Sequence, residues 1–354
     1  MNFYYYTGII IDVFNLFFYW LEFKMSKVLL LSRKDVQSVL NMKDTIEVMK
    51  SAFSELSEGT AVLPQRIVIP ATQQSGISLY MPAFLPKTGS MAVKVVTVYK
   101  KNPEKHGLPT TLGKVLLQDI DTGDVICIMD GGYLTAMRTG AVSGCATSYL
   151  AKKDAETVAL FGAGVQGETQ LWATCEARPN LKLCKVFDLR KDIEEEFTKR
   201  VKAFSNISIE FVDTAEAAVK NSDIILTATT SPNPIFNGEW INPGTHISGV
   251  GSHSPNAREL DTTTIQRAKV VCDQVSACLV EAGDIMIPIK EGAITKDHLY
   301  GELGEIVCKK KEGRVNDSEI TVFKSVGLAI QDAATAKLVY DKACEQNIGT
   351  TAEI

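Results

Sequence analysis

The sequence predicts an α/β protein: a doubly wound parallel sheet joined to a second, α+β unit. Three observations predict it. First, beyond about Thr139, short apolar runs ("TVALF", "KLCKVFDL", "ISIEFVD", "DIILTAT", "THISGVG", "AKVVCD") are interspersed with helical patterns such as "VQGETQLWATCEA" and "IEEEFTKRVKAF". Such alternation implies parallel strands with helices on both faces. Second, before Thr139 the strand patterns follow one another without regular intervening helices, which is the α+β pattern. Third, a glycine turn stands between "TVALF" and the helix that follows it.

Taken in order, residues 1–24, "MNFYYYTGIIIDVFNLFFYWLEFK", form an aromatic, apolar extension. It lacks the basic start and small-residue cleavage site of a signal peptide. Asp12 near its centre disfavours a membrane span. It reads as a dispensable extension, with a membrane anchor as the alternative, and no other stretch suggests a membrane. "SRKDVQSVLNMKDTIEVMKSAFSEL" then predicts two amphipathic helices, with Ser32 and Asp44 near their N-caps. "ISLYMPAF", "MAVKVVTVY" and "TLGKVLLQDIDTGDVICIMD" predict strands, the last a hairpin turning at Asp121–Asp124. "GAVSGCATSYLA" predicts a helix of small residues. The change of rhythm sets a boundary between residues 139 and 140.

Composition narrows the function classes. The 354 residues suit about two domains, and 45% are hydrophobic and 22% charged. The net charge of −5 and the lack of any basic run longer than Lys309–Arg314 argue against nucleic acid as a partner. That run reads as a solvated loop. Eight cysteines without a C-x-x-C pair read as free thiols in a reducing compartment, so the expected location is cytoplasmic. His106, His246, His253 and His298 show no metal-ligand spacing, and no metal is expected.

The glycine turn is Gly162-x-Gly164-x-x-Gly167. Its first glycine permits the tight turn, its second lets a pyrophosphate approach the backbone, and its third lets helix and strand pack closely. The helix N-terminus offers free N–H groups to phosphate. The next strand ends at Asp188, about 20 residues beyond Gly167, where an acid accepts from ribose hydroxyls. This is the Rossmann pattern. It favours NAD, while Arg190 could instead meet the 2′-phosphate of NADP.

Five ordered segments carry a wider resemblance: "VKVVTVYKKNP", "LPTTLGKVLLQDIDTGDVICIMDGGYLTAMRTGAVSG", "FGAGVQG", "GVGSHSPNARELD" and "ITVFKSVGLAIQDAATAKLVY". Together they resemble the ornithine cyclodeaminase/mu-crystallin family, from about Met25 to the C-terminus. The flavour is that of its alanine dehydrogenases and ketimine reductases. The resemblance implies a Rossmann domain over residues 140–323. It also implies a substrate-binding and dimerisation domain over 25–139 that takes back residues 324–354, and hence a homodimer. Its substrates would be small amino acids or their imines. Arg138 and Lys94 match the carboxylate-binding arginine and the pocket lysine, and Arg66 a second arginine. Lys94 sits inside an apolar strand, where an unpaired ammonium is expensive. The resemblance places Thr110, Thr139, Val165, Gln166, Thr229, Val250, Gly251, Ser252 and Ser325 at the cofactor, beside the glycines. It places Val326 at the substrate.

The chain also departs from that family. Where its loop carries an acid–base aspartate, "VGSHSPNAREL" carries His253, with Ala257 at the lysine position and Arg258 next to it. Leu79 stands where the cyclodeaminases have a pocket glutamate. These losses weaken ornithine cyclisation, which steers a cationic side chain with acidic groups. An imine reductase needs a carboxylate clamp, a hydride donor and one proton source, and His253 can be that source. Cyclodeamination of ornithine and a non-catalytic nucleotide binder stand as the rival readings.

Overall fold

The computed structural model describes residues 26–354, so the N-terminal extension lies outside the described residues. Two sheets organise the chain. The first has seven strands: β1 (Lys27–Leu31), β2 (Ile67–Ala71), β3 (Gly76–Leu85), β4 (Ser90–Tyr99), β5 (Thr111–Gln118), β6 (Val125–Asp130) and β15 (Thr350–Glu353). Their spatial order is β15-β1-β6-β5-β4-β3-β2. From β2 to β6 every pairing is antiparallel, and only β1–β6 is parallel. The hairpin between β5 and β6 turns through Gly123, at φ +78.

The second sheet has eight strands: β7 (Thr157–Phe161), β8 (Leu183–Phe187), β9 (Ser208–Phe211), β10 (Ile224–Thr227), β11 (His246–Gly249), β12 (Lys269–Cys272), β13 (Leu299–Glu302) and β14 (Thr321–Lys324). All seven of its pairings are parallel, in the order β13-β12-β14-β11-β10-β7-β8-β9. The chain winds outward from β7 to β9, then crosses back to β10. That reversal is the switch point of a doubly wound sheet, and ligands bind beyond the strand ends there. β14 departs from simple winding. It inserts between β11 and β12, so Lys324, assigned from sequence to the returning segment, is the last residue of this sheet.

The position read as a boundary, 139/140, falls inside one continuous helix, Gly131–Leu150. Its small residues have a packing reason. A Cβ at Gly140 would lie 2.3 Å from the Thr169 carbonyl oxygen, and one at Gly144 would lie 2.8 Å from Ala173 Cβ. The glycines therefore let this helix press onto Val165–Ala177, the helix that opens after the glycine turn. The last helix, Ala329–Glu345, leaves β14 and packs on β3, β4 and the helix Met42–Ser57.

Ser32 caps the helix Arg33–Val39 with a reciprocal capping box to Asp35. Asp44 is not a cap: Asn41 caps the next helix, and Asp44 N–H donates to its side chain. Five short elements had no clear period in the sequence: β13 and the helices Thr262–Arg267, Val275–Glu281, Gly283–Lys290 and Leu303–Val307. The run Lys309–Arg314 is a turn, but it is not simply solvated. Arg314 reaches inward and donates to the carbonyls of Leu150 and Glu319, each at 2.7 Å. All eight cysteines are free; five are buried, and Cys344 is exposed.

Candidate active site

The glycine turn follows β7 as the spacing requires. Gly162 takes φ +91, and a Cβ there would meet the Ala228 carbonyl oxygen at 2.7 Å. A Cβ on Gly167 would sit 1.9 Å from the Gly162 oxygen, so strand and helix touch there. Gly164 is the contrast: no atom lies within 4 Å of its missing Cβ. Val165, first in the helix, leaves 56% of its surface exposed beside it. The Gln166 side-chain oxygen is buried with no partner among the described residues. A bare backbone, free helical N–H groups and an orphaned amide oxygen fit a pyrophosphate and its sugar.

A cavity of ≈ 820 Å³ opens from this turn, lined by Gly162, Gly164, Asp188, Arg190, Thr229 and their neighbours. Asp188 accepts from Ala163 N–H in the turn at 2.8 Å, and Arg190 Nη2 lies 2.9 Å from it. Burial alone would raise the Asp188 pKa. The Arg190 side chain and the N–H groups of Arg190 and Ala163 reverse that and hold it low. The carboxylate is therefore ionised and already fixed to the turn.

Several hydroxyls expected at the cofactor are tied into the loops that shape the site. Thr229 N–H and Oγ1 donate to Glu259 Oε1, at 2.6 and 2.7 Å. Gly251 N–H and Thr227 Oγ1 donate to Glu259 Oε2, each at 2.8 Å. Glu259 thus stitches the loop after β10 to the loop after β11. Val250 N–H continues the ladder to the Thr227 carbonyl, and Ser252 Oγ donates to the Ala257 carbonyl. Ser325 Oγ and the N–H groups of Val326 and Gly327 all donate to Asp273 Oδ2, at 2.7–2.9 Å. Thr139 Oγ1 turns back to the Thr135 carbonyl, and the Thr110 carbonyl accepts from Tyr99 N–H.

The cations converge elsewhere, on the start of the last helix. Lys94 Nζ lies 2.7 Å from Asp332 Oδ2, and Arg138 Nε donates to Asp332 Oδ1 at 3.0 Å. Arg138 Nη1 also donates to Gln331 Oε1 at 2.6 Å. Arg66 Nη2 donates to the Gly327 carbonyl at 2.5 Å, and its Nε lies 3.2 Å from Glu281 Oε1. A cavity of ≈ 320 Å³ adjoins this segment, lined by Arg66, Met81, Glu281, Leu328 and Ala329 among others. Among the described residues, Arg66, Lys94 and Arg138 meet two carboxylates within ion-pair distance, Asp332 and Glu281, three cations against two acids, while the buried Asp273 faces the neighbouring Val326 and Gly327 N–H groups. Burial lowers the Lys94 pKa to about 8 against the pull of Asp332, and the Arg138 charge adds to the lowering. Burial would raise the Asp332 pKa, but Arg138 and Lys94 overcome it and hold it low.

His253 lies on the loop after β11 with an exposed ring. Partial desolvation by the packed loop, with the charges of Lys324 and Arg66 nearby, lowers its pKa. A second buried lysine lies below. Lys324 is fully buried, 2.7 Å from Asp284 Oδ2 and 2.7 Å from the Ser252 carbonyl. Asp284 Oδ1 in turn accepts from Glu259 and Leu260 N–H.

Asp332, Gln331, Asp273, Glu259, Asp284 and Lys324 were missed as site residues. Lys324 in "TVFKSV" is as misplaced in an apolar strand as Lys94 in "AVKVV". The reasoning applied to one lysine would have found the other.

The chain is similar to proteins of known structure and activity. A structure of the Δ1-pyrroline-2-carboxylate reductase of Thermococcus litoralis, in complex with NADH and L-proline, is 47% identical. It matches over 91% of this chain and 99% of that one, with a TM-score of 0.87. An archaeal alanine dehydrogenase dimer with bound NAD matches at 32% identity over 93% and 100%, also with a TM-score of 0.87. A Δ1-pyrroline-2-carboxylate reductase of Bacillus cereus is 35% identical over 92% of this chain and 100% of its own. With the family model matching residues 26–347 as well, the chain belongs to the ornithine cyclodeaminase/mu-crystallin family.

Proposed function

We propose that this protein is an NAD(P)-dependent reductase of small α-imino acids. It interconverts a cyclic ketimine carboxylate, or iminopyruvate, and the matching L-amino acid. The observation that carries this reading is the surplus positive charge where Lys94, Arg138 and Arg66 meet beside a cavity of ≈ 320 Å³. One carboxylate on a small ligand completes that charge set, and a guanidinium fork is the natural partner for it. The relative whose structure holds NADH and L-proline supports the same ligand class.

Gly162, Gly164, Val165, Gln166 and Gly167 would hold the pyrophosphate, and Asp188 the ribose. Arg190 leaves room for NADP beside NAD. When bound, the reduced nicotinamide supplies the hydride that the imine carbon takes up. Asp332 fixes Lys94 and Arg138 so that both point at one place, and their surplus charge holds the substrate carboxylate. The imine nitrogen needs one proton. His253 at the loop delivers it from its protonated form, which its lowered pKa makes the minority, and Lys94, with a pKa near 8, is a second source. Ornithine cyclisation lacks its acidic groups, since Leu79 and His253 replace them.

We also infer a homodimer, with residues 25–139 and the returning helix forming the substrate and dimer lobe. Ile67, Val68 and Ile69 on the edge strand β2 are 58%, 48% and 50% exposed, an apolar edge of the kind a partner covers. Among the described residues no helix is long and apolar enough to cross a membrane.

The test is purified protein with NADH or NADPH and pyrroline-2-carboxylate, piperideine-2-carboxylate, or pyruvate plus ammonia. Cofactor oxidation with formation of the matching L-amino acid is expected. No oxidation with any of the three would contradict the reading.

A further inference from the structure

The wall of the smaller cavity carries two charged side chains, Arg66 and Glu281. The rest of the wall is apolar or neutral, with Met81, Val280 and Leu328 prominent. Arg66 belongs to the segment before β2, while Glu281 ends the helix Val275–Glu281, so their contact at 3.2 Å crosses the cavity from one sheet's lobe to the other's. Both side chains are largely buried, at 17% and 21% exposed. Arg66 Nη2 also donates to the Gly327 carbonyl. Lys94 and Arg138 are held by Asp332, on the helix that begins at the wall residue Ala329. Glu281 is the one carboxylate among the described residues of that wall, so it is the acidic group that a substrate seated in this cavity meets there.

We propose that Glu281 sets the charge selectivity of the substrate pocket: it occupies Arg66 and lines the wall with a carboxylate, so the pocket takes imino acids with one carboxylate and rejects those with a second acidic group. This rests on the reductase reading and names its substrate class. The physical cause is simple. A second substrate carboxylate would face a fixed carboxylate in a poorly solvated cavity, and the arginine that could have met it is already engaged. Burial raises the Glu281 pKa and the Arg66 charge opposes that rise, as expected of an acid held in a partly dry wall.

The experiment compares wild type with Glu281→Gln, which keeps the shape and removes the charge. Two readouts are taken on NADH-loaded or NAD-loaded protein. One is kcat/KM for pyrroline-2-carboxylate against the dicarboxylic imine formed from oxaloacetate and ammonia. The other is calorimetric binding of L-proline against L-aspartate. Wild type is expected to prefer the monocarboxylate in both, and the substitution to shrink that preference about tenfold or more, chiefly through KM for the dicarboxylate. A preference unchanged by the substitution overturns the proposal and leaves the reductase reading standing. If neither imine is reduced while the proline-to-aspartate binding ratio still collapses in the variant, the reductase reading fails and the charge gate stands.

Discussion

Two lysines in this chain sit in apolar strands, each 2.7 Å from an aspartate and each almost wholly removed from water. Lys94 is in β4 and Lys324 in β14. Their surroundings differ in sign. Lys324 shares its site with two carboxylates, Asp284 and Glu259; they outweigh its burial and raise its pKa. Lys94 shares a single carboxylate, Asp332, with Arg138, and burial lowers its pKa to about 8. One site is more than neutralised within the protein, and it braces the loops around the nucleotide turn. The other lacks a negative charge, and it lies beside a cavity. A buried ion pair by itself says little about function. The balance of charge around it says more.

The largest effect that separates the two sites is on catalysis. Arg138→Ala should lower kcat/KM for the imino acid roughly a thousandfold, about 4 kcal/mol of lost transition-state binding. Its melting temperature should fall less than that of a Lys324 variant, because Asp332 keeps Lys94. Steady-state kinetics and a thermal melt check both halves. Equal loss of stability and activity would erase the distinction between the sites.

Lys324→Met should do the reverse. It leaves Asp284 and Glu259 buried without a counter-charge, at a cost of about 3–5 kcal/mol of stability. Denaturant unfolding measures this. Adding Asp284→Leu to that variant should recover part of the loss, since an apolar pair is tolerated where a lone charge is not.

His253→Ala should reduce kcat by roughly a hundredfold, in the range of a lost general acid. The His253 pKa is lowered, so at neutral pH its protonated form is scarce. Wild-type reduction should therefore slow as pH rises through that lowered value, and the variant should lose this limb. A pH–rate profile unchanged by the substitution would move the proton source to Lys94.

The last effect is the pH dependence of stability. The folded Lys94 pKa is depressed from 10.5 to about 8, so between those values the unfolded chain binds the extra proton. Wild type should gain on Lys94→Met as pH rises through that window. Lys324 is raised above 10.5, so its contribution is present below that value and is lost only as pH climbs through the folded pKa. Wild type should keep its advantage over Lys324→Met across the same window.

Much of this was legible in the sequence, and the reasons differ by element. The parallel sheet showed itself because β7, β8 and β10 are short apolar runs punctuated by turns. The nucleotide turn showed itself because Gly162 and Gly167 stand where the fold admits no Cβ. β13 and the short helices after β11 did not show, since four to eight residues hold too little periodicity to read. β14 was hidden for another reason: no local pattern announces that a strand inserts between two earlier ones. Lys94 and Arg138 were legible as charges out of place. Asp332 was not, because an acid on a helix is ordinarily solvated. Only the tertiary fold turns it inward to face two cations. The hydroxyls of Thr229 and Ser325 were read as cofactor contacts; the acids that hold them, Glu259 and Asp273, lie far away in sequence.

The central claim is that a spare positive charge near Asp332 waits for one ligand carboxylate. Calorimetric binding of L-proline and of L-prolinamide to the NAD-loaded protein tests it most directly, because the two ligands differ only in that group. Proline should bind at least about a hundredfold more tightly, as expected when a buried charged site is denied its partner. Equal affinities would contradict the claim.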